Sequence, residues 1–144
     1  MNLSLPSSLS VKDGHLFCGG ADCVELAEKF GTPLYVTDEL HIVENFRRYE
    51  AALKQYTDKV QLLYAAKANE NPVIMQTLAA EGAGADVFSL GEMQAALDSG
   101  MPAEKLLFNG SSKTEAALRI AIEKGIRISV DSVDELRQID LISR

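Results

Sequence analysis

Lys67 follows directly on the apolar run Leu62-Leu63-Tyr64-Ala65-Ala66. Where alternating strands and helices close into a barrel, a lysine at the C-terminal end of a strand stands on the face that carries the active site. Partial burial there lowers the amine's pKa and leaves a nucleophile able to form a Schiff base with a carbonyl. The same position equally suits a solvated lysine just past a strand end. Asp86 lies in the next apolar run, Ala85-Asp86-Val87-Phe88, either as a reacting carboxylate or as an acceptor for loop N–H groups. Asn109 ends a third run, Leu106-Leu107-Phe108, and so faces the same mouth. Lys113 reads as a solvated loop lysine or as a phosphate contact. Ser89 and Glu92 read as helix caps, and Tyr64 as a packed side chain. His15 and His41 are far apart, and Cys18-x4-Cys23 has no second pair, so no metal site is expected. No Ser-His-Asp arrangement is suggested.

The elements that would position these residues follow from periodicity and punctuation. Residues 1–14 are polar and carry no periodicity. His15-Leu16-Phe17-Cys18 predicts a short strand closed by Gly19-Gly20, and residues 22–29 predict one or two helical turns stopped by Gly31. Leu34-Tyr35-Val36 predicts another short strand. Thr37 or Asp38 then caps a helix whose Ile42, Phe46, Tyr49 and Leu53 share one face. Residues 60–66 predict an apolar strand. Asn71-Pro72 supplies a cap and a proline at the first helical position, opening a helix that Gly82 closes. Residues 85–88, 106–108 and 126–130 predict further strands. Ser89 with Glu92 and Ser132 with Glu135 form capping boxes, and a helix over residues 114–124 ends at Gly125.

Strand–helix alternation at about 20–25 residues per unit implies an α/β fold, with a parallel sheet covered by helices. The strands are mostly continuous apolar runs, as when both faces are buried. No GxGxxG follows the first strand and no Walker loop is present. The last helix reaches Arg144 without a glycine cap or a following strand. At most about five βα units are present, where a (β/α)8 barrel has eight in about 250 residues. The expectation is part of a (β/α)8 TIM-type barrel, truncated, from the N-terminal piece of a longer protein; the alternative is a complete small open-sheet domain.

The chain has 144 residues, 47% hydrophobic and 24% charged, which excludes disordered and collagen-like classes. Its net charge of −7 and the absence of a basic cluster argue against nucleic acid or an anionic membrane as partner. No apolar run approaches the roughly 20 residues a membrane span needs. The N-terminus lacks a basic segment followed by an apolar core, so no signal peptide is expected. Two cysteines make no disulfide framework, and a reducing, cytoplasmic setting is expected.

Four segments in order carry a more specific likeness. Tyr64-Ala65-Ala66-Lys67-Ala68-Asn69 resembles the Y-A-(V/Y)-K-A-N segment of fold-type III pyridoxal-phosphate decarboxylases. Gly31-Thr32-Pro33-Leu34-Tyr35-Val36, Gly84-Ala85-Asp86-Val87-Phe88-Ser89-Leu90-Gly91-Glu92 and Phe108-Asn109-Gly110-Ser111-Ser112-Lys113-Thr114 resemble segments of the diaminopimelate decarboxylase family. Val130-Asp131-Ser132 with Glu135-Leu136 resembles its next strand and helix start. The likeness runs from about Leu16 to about Ile139. Ala66 departs from the usual Val or Tyr, and Leu90 stands where Gly is common. Alanine racemases share the fold, but their K-A-N precedes a Y-G-H-G run, whereas Glu70-Asn71-Pro72 follows here.

The resemblance implies that Lys67 holds pyridoxal 5'-phosphate as a Schiff base that a substrate amine displaces. Loss of the α-carboxylate as CO2 then delocalises electrons into the cofactor ring, and reprotonation gives the product amine. It implies that Asp86 is the active-site aspartate near cofactor and lysine, and that Ala65 lines the cofactor pocket. The reaction implied is decarboxylation of meso-diaminopimelate to lysine. The alternatives are a related ornithine, arginine or carboxynorspermidine decarboxylase, or a non-catalytic cofactor-binding barrel module. Residues 1–30 would associate with a C-terminal β domain, and residues 31–144 would be the first part of the barrel. The full-length protein would be a cytoplasmic homodimer acting on a small amino acid. The phosphate-binding loop, the ring-stacking histidine and the substrate-binding arginines would lie outside this chain, and a protein ending at Arg144 would not catalyse.

Overall fold

Asp13 and Gly14 both take positive φ, 51° and 82°, as a type I′ two-residue hairpin requires. They join β1 (Leu9–Lys12) to β2 (His15–Cys18), with Lys12 opposite His15. Gly19 and Gly20 turn the chain again into β3 (Ala21–Asp22), completing an antiparallel sheet of order β1-β2-β3. Asp22 caps α1 (Cys23–Phe30), its carboxylate accepting from the Val24 N–H at 2.8 Å. The computed structural model describes residues 5–144, in two compact units that meet in sequence at Asn45 and Phe46.

Two expectations for the first unit need correction. The segment expected to lack pattern over residues 1–14 contains β1, although residues 1–4 lie outside the described residues. Leu34-Tyr35-Val36 forms no strand: it has no ladder partner among the described residues, and a three-residue apolar run does not stand alone as a strand. The helix expected after it is α2 (Glu39–Lys54), with Asp38 accepting from the His41 N–H at 3.3 Å. The unit boundary falls within α2.

The second unit is an α/β layer. Four parallel strands, β4 (Leu63–Ala65), β5 (Gly84–Val87), β6 (Leu106–Phe108) and β7 (Arg127–Ile128), lie side by side in chain order. They alternate with α3 (Pro72–Ala80), α4 (Leu90–Asp98), α5 (Glu115–Glu123) and α6 (Val133–Ser143). The strands expected over residues 60–66 and 126–130 shorten to β4 and β7; Ala66 already enters a 3-10 turn, Ala66–Ala68. Asn71 caps α3 through the Val73 N–H at 2.9 Å, with Pro72 opening the helix. Gly84 has no room for a side chain: a Cβ would stand 1.9 Å from the Lys105 carbonyl oxygen.

The sheet's two faces differ, which amends the expectation of burial on both. Ala85, Val87, Leu106 and Phe108 point to one face and are buried with Met75, Leu78, Met93, Ala96, Leu118 and Ala121 of the helices. The register Ala65–Asp86–Leu107–Arg127 defines the other face, of which the first three are half-buried. Here the Arg127 guanidinium donates to the Gln61 side chain at 2.6 Å. Among the described residues no helix is long and apolar enough to cross a membrane.

Candidate functional site

The 3-10 turn after β4 is anchored by Ala66, which is fully buried, and it leaves Lys67 exposed at the C-terminal end of the sheet. The Tyr64 hydroxyl donates to the Asn69 carbonyl at 3.1 Å and ties the turn's exit back to β4. Burial pushes the Tyr64 phenol above its ordinary pKa, which keeps that hydroxyl a donor. The Lys67 ammonium lies over the Phe88 ring, 4.3 Å from its centroid, within cation–π range.

Phe88 is held from two sides. Its N–H donates to Glu92 Oε2 at 2.9 Å, while the Glu92 N–H donates to Ser89 Oγ at 3.1 Å. The Ser89–Glu92 pair is therefore a helix cap, as expected, but its return bond lands one residue before the cap and clamps the Phe88 backbone. On the other side lies Gly110, at φ 92°, where a Cβ would stand 2.9 Å from Phe88 Cδ1.

Asp86 pairs in register with Ala65, so the two side chains share the half-buried face beside the strand end that precedes Lys67. Asp86 Oδ1 is buried and has no hydrogen-bond partner. A buried acceptor left unpaired costs about 1–3 kcal/mol, more when charged. It accepts none of the loop N–H groups that a merely structural carboxylate would serve. The oxygen is available to a donor from outside this chain's own side chains.

Asn109 and Lys113 stand differently from what their positions suggest. The Asn109 side-chain oxygen accepts from the Gly110 N–H at 2.8 Å and closes its own turn. Lys113 is not solvated: its side chain is 0% exposed. Its ammonium donates to both Glu135 carboxylate oxygens, at 2.9 and 3.2 Å, and to the Gly110 carbonyl. The reason is tertiary, because α6 sets Glu135 over a loop 22 residues earlier in the chain.

The structure thus sets Ala65 beside Asp86 in register, with Lys67 two residues past Ala65, and adds under the Lys67 amine Phe88, which the residue types alone did not single out. Period two from Asp86 was the available signal, since it places Phe88 on the same side. Among the described residues no group of three or more His, Cys, Asp or Glu is arranged to hold a metal ion.

Comparison with known proteins gives this geometry its context. Residues 39–144 match the family described as pyridoxal-dependent decarboxylase, pyridoxal binding domain. The diaminopimelate decarboxylase of Methanothermobacter thermautotrophicus is 43% identical over 130 residues, which is 90% of this chain and 30% of that protein. The crystal structure of the Methanocaldococcus jannaschii diaminopimelate decarboxylase in complex with L-lysine superposes with a TM-score of 0.90 at 43% identity, covering 94% of this chain and 32% of that one. The lysine/ornithine decarboxylase of Vibrio vulnificus, solved with putrescine, gives a TM-score of 0.69 at 33% identity over 82% of this chain and 32% of that one. The chain spans about 30% of the length of the curated relatives it matches. An exposed lysine and a carboxyl with an unpaired oxygen on a parallel sheet thus sit inside a matched domain, and the chain belongs to the pyridoxal-dependent decarboxylase family through its pyridoxal-binding domain.

Proposed function

We propose that this chain supplies the cofactor-bearing lysine and one wall of the cofactor pocket of a decarboxylase that converts meso-diaminopimelate to lysine and CO2. One observation carries the reading: Lys67 follows the strand whose Ala65 pairs in register with Asp86, and Asp86 Oδ1 is buried with no hydrogen-bond partner. A pyridoxal phosphate bears an aldehyde for such an amine and a ring whose polar positions suit such a carboxyl, so the residues fit the group. When bound, it supplies the electron sink for loss of the carboxylate.

The chain's own part is to bind and orient. Lys67 Nζ holds the cofactor, and between turnovers it accepts and returns a proton at that nitrogen. Asp86 meets a donor from the cofactor or from the substrate amine through the unpaired Oδ1. Ala65 is small, so the face it shares with Asp86 stays open to a planar ring. We also infer that residues 1–30 associate with a C-terminal β domain, that residues 31–144 begin the barrel, and that the full-length protein is a cytoplasmic homodimer. The likeness to diaminopimelate decarboxylases, at 43% identity and a TM-score of 0.90 against 33% and 0.69 for the lysine/ornithine enzyme, supports diaminopimelate as substrate.

The test is release of labelled CO2 by the full-length protein with pyridoxal phosphate, offered meso-diaminopimelate, ornithine, arginine or lysine. Release from diaminopimelate that Lys67→Ala abolishes is the expected result. Turnover of ornithine or arginine in its place overturns the substrate assignment, and full turnover by Lys67→Ala overturns the role of Lys67.

A further inference from the structure

We propose that the buried Lys113–Glu135 ion pair is a positioning device that fixes the Lys67 amine through Gly110 and Phe88. The inference rests on the reading of Lys67 as the cofactor-bearing residue and assigns work to groups that this reading leaves unused.

The chain of contacts is continuous. Glu135 is 9% exposed and is held by its own helix, because its N–H donates to Ser132 Oγ at 3.1 Å and the Asp131 N–H donates to Glu135 Oε1 at 3.3 Å. Its carboxylate holds the Lys113 ammonium, which is also 5.7 Å from the Phe108 ring centroid. The same ammonium takes the Gly110 carbonyl as its third acceptor and so sets where that peptide lies. Gly110 in turn packs against the Phe88 ring so closely that a single methyl would collide with it. The Phe88 ring forms the floor under Lys67.

Burying an ion pair is a costly way to hold a loop. Desolvating two charges is repaid only with good geometry and satisfied remaining valences, and an apolar pair would often be as stable. Here the ammonium's remaining N–H is spent on one peptide, that of the glycine touching the floor of the site. The pair's net effect is to fix a position. It requires no group outside this chain, so the Lys67 amine is pre-set before any cofactor arrives.

The test uses the full-length protein carrying 13C at the lysine ε-carbon. A carbon and its protons held over an aromatic face resonate upfield of solvated lysines. Lys12, Lys29 and Lys113 also stand over rings, at 5.3, 5.1 and 5.7 Å from the centroids, so the Lys67 signal is the upfield one that vanishes in Lys67→Arg. Phe88→Leu should return it to the solvated position. K113M/E135Q removes both charges together and so keeps the fold, and it should move the Lys67 signal toward the solvated position with an unchanged circular dichroism spectrum. Gly110→Ala should do the same from the other end of the contact. A purely structural role for the pair would lower the melting temperature and leave the Lys67 signal where it was, and that result overturns the proposal. So does a wild-type Lys67 signal already at the solvated position. Added pyridoxal phosphate tests the underlying reading separately: a Lys67 signal that responds to K113M/E135Q but ignores the cofactor sinks the functional reading and leaves the positioning link standing.

Discussion

Lys113→Met breaks the buried pair without leaving a hole. The methionine fills the channel of the lysine stem, but three acceptors lose their donor: both Glu135 oxygens and the Gly110 carbonyl. Glu135, 9% exposed, keeps only the long bond from the Asp131 N–H at 3.3 Å. Stranding one charge of a buried pair costs about 3–5 kcal/mol. Adding Glu135→Gln removes the stranded charge and keeps an acceptor for Asp131. What then remains is the orphaned Gly110 carbonyl, a part-buried acceptor that has lost an ammonium donor, worth about 1–3 kcal/mol. The midpoints of the two ranges put the double variant about 2 kcal/mol above the single one in stability, an inversion of the usual additive penalty. The assay is urea unfolding of the full-length protein, comparing midpoints at constant slope. If single and double variants unfold within about 0.5 kcal/mol of each other, well inside the about 1 kcal/mol ceiling of an exposed pair, Lys113 is solvated after all and the buried-pair argument fails.

Two further outcomes are expected. The hydrogen bond from His15 to Asp22, 2.6 Å with Asp22 as its carboxylate, raises the His15 pKa and lowers that of Asp22. The His15 contribution is present below its ordinary value and is lost as pH rises through the raised one. The Asp22 contribution is present above its ordinary value and is lost as pH falls through the lowered one. The β2–β3 pair is therefore most stable between about pH 4 and about pH 6.5. An NMR titration should place His15 above the ordinary imidazole value, and Asp22→Asn should bring it down; an unchanged midpoint in that variant refutes the coupling. Gly84→Ala should cost more than about 4 kcal/mol, because its Cβ would stand 1.9 Å from the Lys105 carbonyl oxygen, a backbone atom, and 2.6 Å from Leu63 Cδ2. A melting temperature like that of the unsubstituted protein would contradict that packing.

The parts of this fold that depend on local chemistry were legible in the sequence. β2 and β6 occupy the residues their apolar runs indicate, and Asn71, Ser89 and Ser132 cap helices as their side chains predict. Lys67 stands where the end of its apolar run places it. What was not legible depends on partners distant in the chain. β1 reads as polar until it is seen that Asp13-Gly14 is itself a hairpin signal between Leu9, Val11 and Leu16. The run Leu34-Tyr35-Val36 has a strand's composition, but composition does not supply the ladder partner. Burial of Lys113 is set by α6, and nothing near Lys113 in sequence announces Glu135. The unpaired oxygen of Asp86 is likewise invisible to pattern, since it is defined by which donors fail to reach it.

The central claim is that Lys67 is the amine that carries the cofactor. Borohydride trapping of the full-length protein with pyridoxal phosphate, followed by peptide mass mapping, tests it most directly. A phosphopyridoxyl adduct on Lys67, absent from the peptides of exposed lysines such as Lys59 at equal reagent, is the predicted result. A folded protein that binds pyridoxal phosphate and yields no adduct on Lys67 would contradict the account.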